Sequence, residues 1–243
     1  MIESTNAKMK VEIWSDVTCG FCYIGKRKFE DALSVFKNAS NIEIIWRSFQ
    51  LAPEAKSERG KSFYQALSEH SGMSIDQSKS ASDQLTHIAA KMGLVYDFEK
   101  AISVNTFNAH RFSHFAKDQE VQTEAEEVLF KAYFTDGKNI DDVSTLVELG
   151  GVIGLNEAET KTILEGDHYA DEVRVDLHRA QQIGVTRVPT FVIDGKHTFS
   201  GVQQTEAFLQ TLEVAYGLWL EDNRITSGGL ASGESCSLDG LCK

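Results

Sequence analysis

Val11-Glu12-Ile13-Trp14-Ser15-Asp16-Val17-Thr18-Cys19-Gly20-Phe21-Cys22-Tyr23-Ile24 is the stretch that decides the fold of this chain. Its apolar start predicts a strand to about residue 15. After the cysteines, Tyr23, Ile24, Phe29, Leu33 and Phe36 recur at helical spacing, which predicts a helix from Cys19 or Phe21 to about Phe36. The pair therefore falls where a strand ends and a helix begins. The first turn of a helix presents unpaired backbone N–H groups and a partial positive charge. Both stabilise a thiolate, and a cysteine so placed can have its pKa lowered from roughly 8.5 into the range of about 3.5–7.5. Two intervening residues bring the second sulfur within reach of a mixed disulfide formed by the first. Cys19 is the candidate nucleophile and Cys22 the candidate resolving thiol. The bland alternatives are two unrelated cysteines or half of a zinc site.

Composition bounds the rest. A chain of 243 residues with 42 % hydrophobic and 25 % charged residues suits one large globular domain, or one domain carrying an insertion. The formal net charge of −12 argues against nucleic acid and anionic membrane surfaces as partners. No run approaches the roughly 20 apolar residues of a membrane span. Residues 1–8 lack the apolar stretch of a secretory signal, so a cytoplasmic location is expected. Stable disulfides are rare there, which favours a catalytic or metal-binding cysteine pair over a structural bridge.

Outward from the cysteines, Asn38-Ala39-Ser40-Asn41 signals a turn and Ile42-Glu43-Ile44-Ile45-Trp46 a buried strand, giving a parallel βαβ unit. From about 54 to 184 helical patterns dominate: 82–92, 104–115, 124–134, 143–149, 157–164 and 173–183, the last ending at Gly184. Strand character returns at Thr190-Phe191-Val192-Ile193. Asp194-Gly195 reads as a two-residue hairpin turn, with 196–199 pairing back. A final amphipathic helix is expected over 203–220. From Asn223 the composition turns to Gly and Ser, and this tail carries Cys236 and Cys242.

Pro189 is one of only two prolines and opens the strand Val188-Pro189-Thr190-Phe191-Val192. A proline belongs at a strand start because it cannot donate to the ladder. The early strand–Cys-x-x-Cys–helix and the late Gly-Val-x-x-Val-Pro-Thr-Phe-Val-Ile-Asp-Gly together resemble a thioredoxin-fold protein. The long helical insert makes the chain similar to the DsbA family. Ser15 to Lys26, Asn105 to Phe112, and Ala132 to Gly137 resemble its FrnE-like branch in particular. The resemblance implies an α/β thioredoxin fold (βαβ…ββα) with a large all-helical insertion. Residues 1–55 and 185–222 would form the thioredoxin-like domain, 56–184 the insertion and 223–243 the tail. It also implies that Val188–Pro189 is cis, lies against the cysteines and takes hold of a substrate chain as an added strand. Phe21, between the cysteines, joins Val188 and Pro189 as a candidate substrate contact. The implied partners are disulfide-containing proteins or small-thiol substrates, and no cofactor is expected. One departure stands out. The family usually has proline after the first cysteine, and this chain has Gly20, a position that tunes redox poise.

Other residues carry weaker signals. Lys26, Arg27 and Lys28 read as a solvated face matched by Glu30 and Asp31. Asp16, three residues before Cys19, could relay a proton or simply hold the loop. His110 and His114 have the i, i+4 spacing of two metal ligands, but no nearby acid completes a motif, so no metal is expected. Asn105 and His110 fall in the family-like segment and are read as helping to frame the groove. Cys236 and Cys242 enclose five residues with an Asp239-Gly240 turn, and are a candidate accessory redox pair that would exchange with Cys19–Cys22 through a flexible linker; an independent tail disulfide or two idle thiols are the alternatives. Two other functions compete with thiol–disulfide exchange. One is a glutathione-dependent isomerase or transferase related to the kappa-class enzymes and hydroxychromene-carboxylate isomerases, which typically lack the cysteine pair. The other is a four-cysteine zinc protein.

Overall fold

A computed structural model describes residues 7–57 and 61–228. The central strand is β1 (Met9–Ser15), which runs into α1 (Gly20–Val35) and, after a short 3-10 turn, into β2 (Ile42–Ser48). β1 and β2 are parallel, Val11 facing Ile44 and Ile13 facing Trp46. The chain then leaves the sheet for what are, among the described residues, seven helices. They are α2 (Phe63–Ser71), α3 (Ile75–Ala90), α4 (Phe107–Asp118), α5 (Gln122–Phe134), α6 (Val143–Val152), α7 (Glu157–Glu165) and α8 (Ala170–Gln182). It returns through β3 (Thr190–Ile193), β4 (His197–Ser200) and α9 (Thr205–Gly228). The sheet order is β2-β1-β3-β4, with β3 antiparallel to both its neighbours.

Physical causes are visible element by element. β1 is buried on both faces because α1 and α9 cover one side of the sheet and the insertion covers the other. Val11, Ile13, Phe29, Phe191, Phe208 and Leu212 fill the first core. The larger core lies inside the insertion around Phe112, Phe130, Tyr133 and Phe134, and it extends to Tyr23, Ile24 and Cys22 of α1. The cysteine turn thus rests on the insertion's core rather than on a mobile loop. Glu12 is buried on the insertion side of β1, where Arg47 (2.6 Å) and Arg179 (2.9 Å) neutralise it. On β2 the backbone N–H of Ser48 donates to Asp176 of α8 (3.0 Å), whose carboxylate also meets Arg47 and His114.

Several sequence readings are adjusted. The helical pattern at 82–92 is the second half of α3, and α2 stands ahead of it. The hairpin loop has three residues, because Ile193 faces His197 across Asp194, Gly195 and Lys196. Asp194 and Gly195 both have left-handed backbone (φ 51° and 67°), which lets this short loop close. The last helix does not stop near 220 but continues to Gly228, past the expected boundary at Asn223. Lys26 is not on a solvated face. It is buried at 2 % exposure between Glu30 (2.6 Å) and Glu127 of α5 (2.5 Å), and Arg27 shares the same Glu127 (2.8 Å).

Candidate active site

Cys19 occupies the N-cap position of α1, with extended backbone (φ −91°, ψ 104°) and no side-chain cap. Its own N–H donates to Asp16 O (2.9 Å) and its carbonyl accepts from Cys22 N–H (2.9 Å), so the turn is fixed from both sides. No acidic residue lies in the first turn of α1 to offset the positive end of the helix. Both thiols are free. Cys19 keeps 8 % exposure against 1 % for Cys22, so Cys19 is the more reachable of the two sulfurs. Burial pushes the Cys22 thiol well above its ordinary value. The neighbouring Cys19 adds to the rise, and the Asp16 backbone and Ser15 hydroxyl oppose it only in part.

The proline loop lies against this pair. The Val188–Pro189 peptide is cis, and Cys19 Sγ points at Val188 O at 3.7 Å. The approach is close: a Cβ on Gly25 of α1 would sit 3.0 Å from Pro189 Cγ. The loop is anchored by Gly201 N–H to Pro189 O (2.7 Å) and by the Thr190 hydroxyl, which donates to Arg187 O (2.7 Å). Phe21 points outward at 49 % exposure.

Behind the turn, Asp16 is 1 % exposed. One carboxylate oxygen accepts from Leu51 N–H (2.7 Å); the other has no hydrogen-bond partner and faces His110 Nε2 at 3.6 Å. His110 Nε2 is itself 2.9 Å from Phe49 O. Burial opposes protonation of His110, but Asp16, Glu126 and the Phe49 carbonyl outweigh it and raise its pKa. His114, by contrast, meets Ser48 Oγ (3.1 Å) and Asp176 (3.2 Å), so the two histidines serve different partners. Among the described residues no group of three or more His, Cys, Asp or Glu is placed to hold a metal. Asn105 holds the loop after β2, donating to Pro53 O (2.9 Å) and Ala55 O (3.0 Å), while its own carbonyl caps Phe107 N–H. Cys236 and Cys242 lie outside the described residues.

Two contacts to the cysteine turn had no signal in the local sequence. Tyr96, from the segment after α3, donates its buried hydroxyl to Gly20 O (2.7 Å). Leu85 of α3 packs on Gly20, where a Cβ would fall 2.7 Å from Leu85 Cδ2 and 3.1 Å from the Tyr96 ring. The missing side chain at position 20 lets the Leu85 side chain and the Tyr96 ring pack directly on the turn.

A paired thiol at a helix N-terminus, with a cis-proline loop against it and a helical insertion over it, defines the class of thioredoxin-fold thiol oxidoreductases. The chain matches the model of the DSBA-like thioredoxin domain over residues 10–213, and it belongs to that family. The crystal structure of SCO1869 from Streptomyces coelicolor, a probable DsbA oxidoreductase, superposes with a TM-score of 0.81 at 35 % identity, covering 97 % of this chain and 99 % of that one. The YwbO protein of Bacillus subtilis is 28 % identical over 186 residues, 75 % of this chain and 86 % of its own. The cytosolic disulfide reductase DsbM of Pseudomonas aeruginosa shares the fold at 15 % identity, with a TM-score of 0.57 over 89 % of this chain and 99 % of that one. Among the described residues no helix is long and apolar enough to cross a membrane.

Proposed function

We propose that the protein is a thiol–disulfide oxidoreductase that reduces or isomerises disulfides, with Cys19 as nucleophile and Cys22 as resolving thiol. The observation that carries this reading is the unequal pair: Cys19, the more exposed sulfur, at the helix cap and a fully buried Cys22 whose thiol is pushed up. The Cys19 thiolate attacks one sulfur of a substrate disulfide, forming a Cys19–substrate bond and releasing the other half as thiolate, which takes up a proton. Cys22, deprotonated, then attacks Cys19 Sγ and expels the second substrate sulfur, leaving a Cys19–Cys22 disulfide. Two electrons pass to the substrate, and an external thiol or dithiol returns them. Val188 and Pro189 hold the substrate chain beside Cys19. We place the chain in the FrnE-like branch and in the cytoplasm, where reducing conditions keep the resting pair as thiols; cell fractionation reads the location directly.

A glutathione redox titration followed by thiol mass tests the reading. A two-electron transition of Cys19–Cys22 within about −120 to −270 mV is expected. Thiols inert across that range would sink it.

In the same reading Asp16 relays the proton of Cys22, with His110 behind it. The unpartnered, buried oxygen of Asp16 supports this. Asp16→Asn keeps an oxygen for Leu51 N–H, so the loop survives while the base is lost. It is expected to slow resolution of the mixed disulfide by about 10²-fold. Rapid-quench mass analysis measures that step. An unchanged rate would leave Asp16 with only the loop to hold.

A further inference from the structure

Arg187 stands one residue before Val188, whose carbonyl meets the Cys19 sulfur at 3.7 Å. Bond lengths alone keep the Arg187 Cα within about 10 Å of that sulfur, and an extended arginine side chain carries its guanidinium about 6 Å from Cα. Arg187 is exposed, so this head group is free to cover the ground beside the thiol. Its segment is fixed at both ends. Val185 N–H donates to Ala180 O (2.8 Å), and the Thr190 hydroxyl donates to Arg187 O (2.7 Å). Between these anchors the N–H groups of Thr186, Arg187 and Val188 make no hydrogen bond among the described residues. The guanidinium is unpaired as well. Every other arginine whose side chain is described, Arg27, Arg47, Arg111, Arg174 and Arg179, donates to a carboxylate or a backbone carbonyl. Arg187 meets neither among the described residues. On a chain with a formal net charge of −12, this bare cation beside the thiol is a local reversal of the overall field.

We infer that Arg187 is a specificity-determining residue whose guanidinium binds a carboxylate carried one residue from the disulfide cysteine of the substrate. The inference rests on the thiol–disulfide reading above and deepens it by naming the substrate class. A residue next to a half-cystine bonded to Cys19 lies about 3.5 Å along an extended chain, within the sweep of the guanidinium. The planar guanidinium offers paired donors that match the two oxygens of a carboxylate. A backbone held at Val185 and Thr190 lowers the cost of ordering the arginine when the anion arrives. Two sources carry this chemistry. One is a polypeptide with Asp or Glu beside its cysteine, and the other is glutathione disulfide, whose glycine carboxylate directly follows the cysteine.

The test mixes reduced protein with homodimeric peptide disulfides, identical except for Asp, Asn or Lys on both sides of the cysteine, and with glutathione disulfide. Rapid-quench mass analysis gives the second-order rate constant for thiol release. Each constant is divided by that of dithiothreitol on the same disulfide, which removes the neighbours' effect on the leaving thiol. The wild type is expected to favour the Asp peptide about fivefold over the Asn peptide, the size of one exposed charge pair, and to use the Lys peptide least. Arg187→Ala should bring the three peptides to within about twofold of one another, and Arg187→Glu should invert their order. Lys37→Glu makes the same change of charge beyond the far end of α1, about 24 Å away, and should keep the wild-type order. Indifference of the wild type to the three peptides, an order unmoved by both Arg187 variants, or an inversion by Lys37→Glu as well would overturn the anion site while leaving the redox reading standing. Thiol release from none of the disulfides would instead overturn the redox reading on which the site rests. With the peptide order lost in Arg187→Ala, a matching fall for glutathione disulfide would make its glycine carboxylate a second source of the anion, and an unchanged constant would restrict the site to acidic polypeptides.

Discussion

Cys19→Ser is expected to lower kcat/KM on a peptide disulfide by roughly a thousandfold or more, and Cys22→Ser to halt the cycle after its first half. The two effects differ in kind because the two sulfurs differ in surroundings. Cys19 is the more exposed sulfur and sits at the helix cap, and only a thiolate attacks a disulfide, so a hydroxyl there leaves no nucleophile. Cys22 is 1 % exposed and meets substrate only through Cys19. Without it the first exchange still runs, and the protein should accumulate as a Cys19–substrate mixed disulfide, visible as an added mass. The raised pKa of the Cys22 thiol makes its deprotonation the slow part of resolution, so the wild-type resolution rate should climb with pH. Glutathione-dependent turnover that survives Cys22→Ser at the wild-type rate would move the chain to the isomerase or transferase reading, in which one active-site atom suffices.

Much of this site was legible in the sequence because its signals are local. The β1 run, the cysteine spacing and the amphipathic start of α1 lie within 25 residues, and Val188-Pro189-Thr190 announces both a strand start and the loop before it. What was not legible depends on distant partners. Lys26 reads as solvated because nothing near it says that Glu127 comes to meet it from α5. Gly20 reads as a tuning residue between two cysteines; its packing reason is Leu85, 65 positions away. Outside 82–92, the α2–α3 hairpin escaped hydrophobic periodicity for a physical reason. Part of its inner face is made of buried Ser78 and Ser82, with Ser82 Oγ donating to Ser78 O (2.8 Å). Its start signals were nevertheless present: Ser62 with Gln65 and Ser74 with Gln77 form two complete capping boxes. The i, i+4 spacing of His110 and His114 did not say what each would face: the fold gives one to the Asp16 loop and the other to β2 and α8.

Arg111→Leu is expected to cost about 3–5 kcal/mol of stability, although Arg111 touches neither the cysteines nor the proline loop. Its guanidinium closes the C-terminal end of α7. It donates to Ile163 O (2.6 Å), Leu164 O (3.3 Å), Gly166 O (2.6 Å) and His168 O (2.8 Å), and to its own helix at Asn108 Oδ1 (2.9 Å). The last carbonyls of a helix have no partner inside it, and the negative end of the helix favours a cation there. Leucine would replace only the apolar stem and leave four backbone acceptors without their donor at a site where Arg111 is 5 % exposed. Lysine should rescue little, since one ammonium cannot fork across four carbonyls. For a chain of this size the loss corresponds to a fall in Tm of about 10 °C, read by thermal melting, with urea unfolding as the second measure. The same four contacts hold the link from α7 to α8, and α8 runs out directly into the segment that delivers Val188 and Pro189 to Cys19. The variant should therefore lose some activity below its melting point, through a looser proline loop. A loss under about 1 kcal/mol would mean that water satisfies the carbonyls and that the α7–α8 link stands on apolar packing alone.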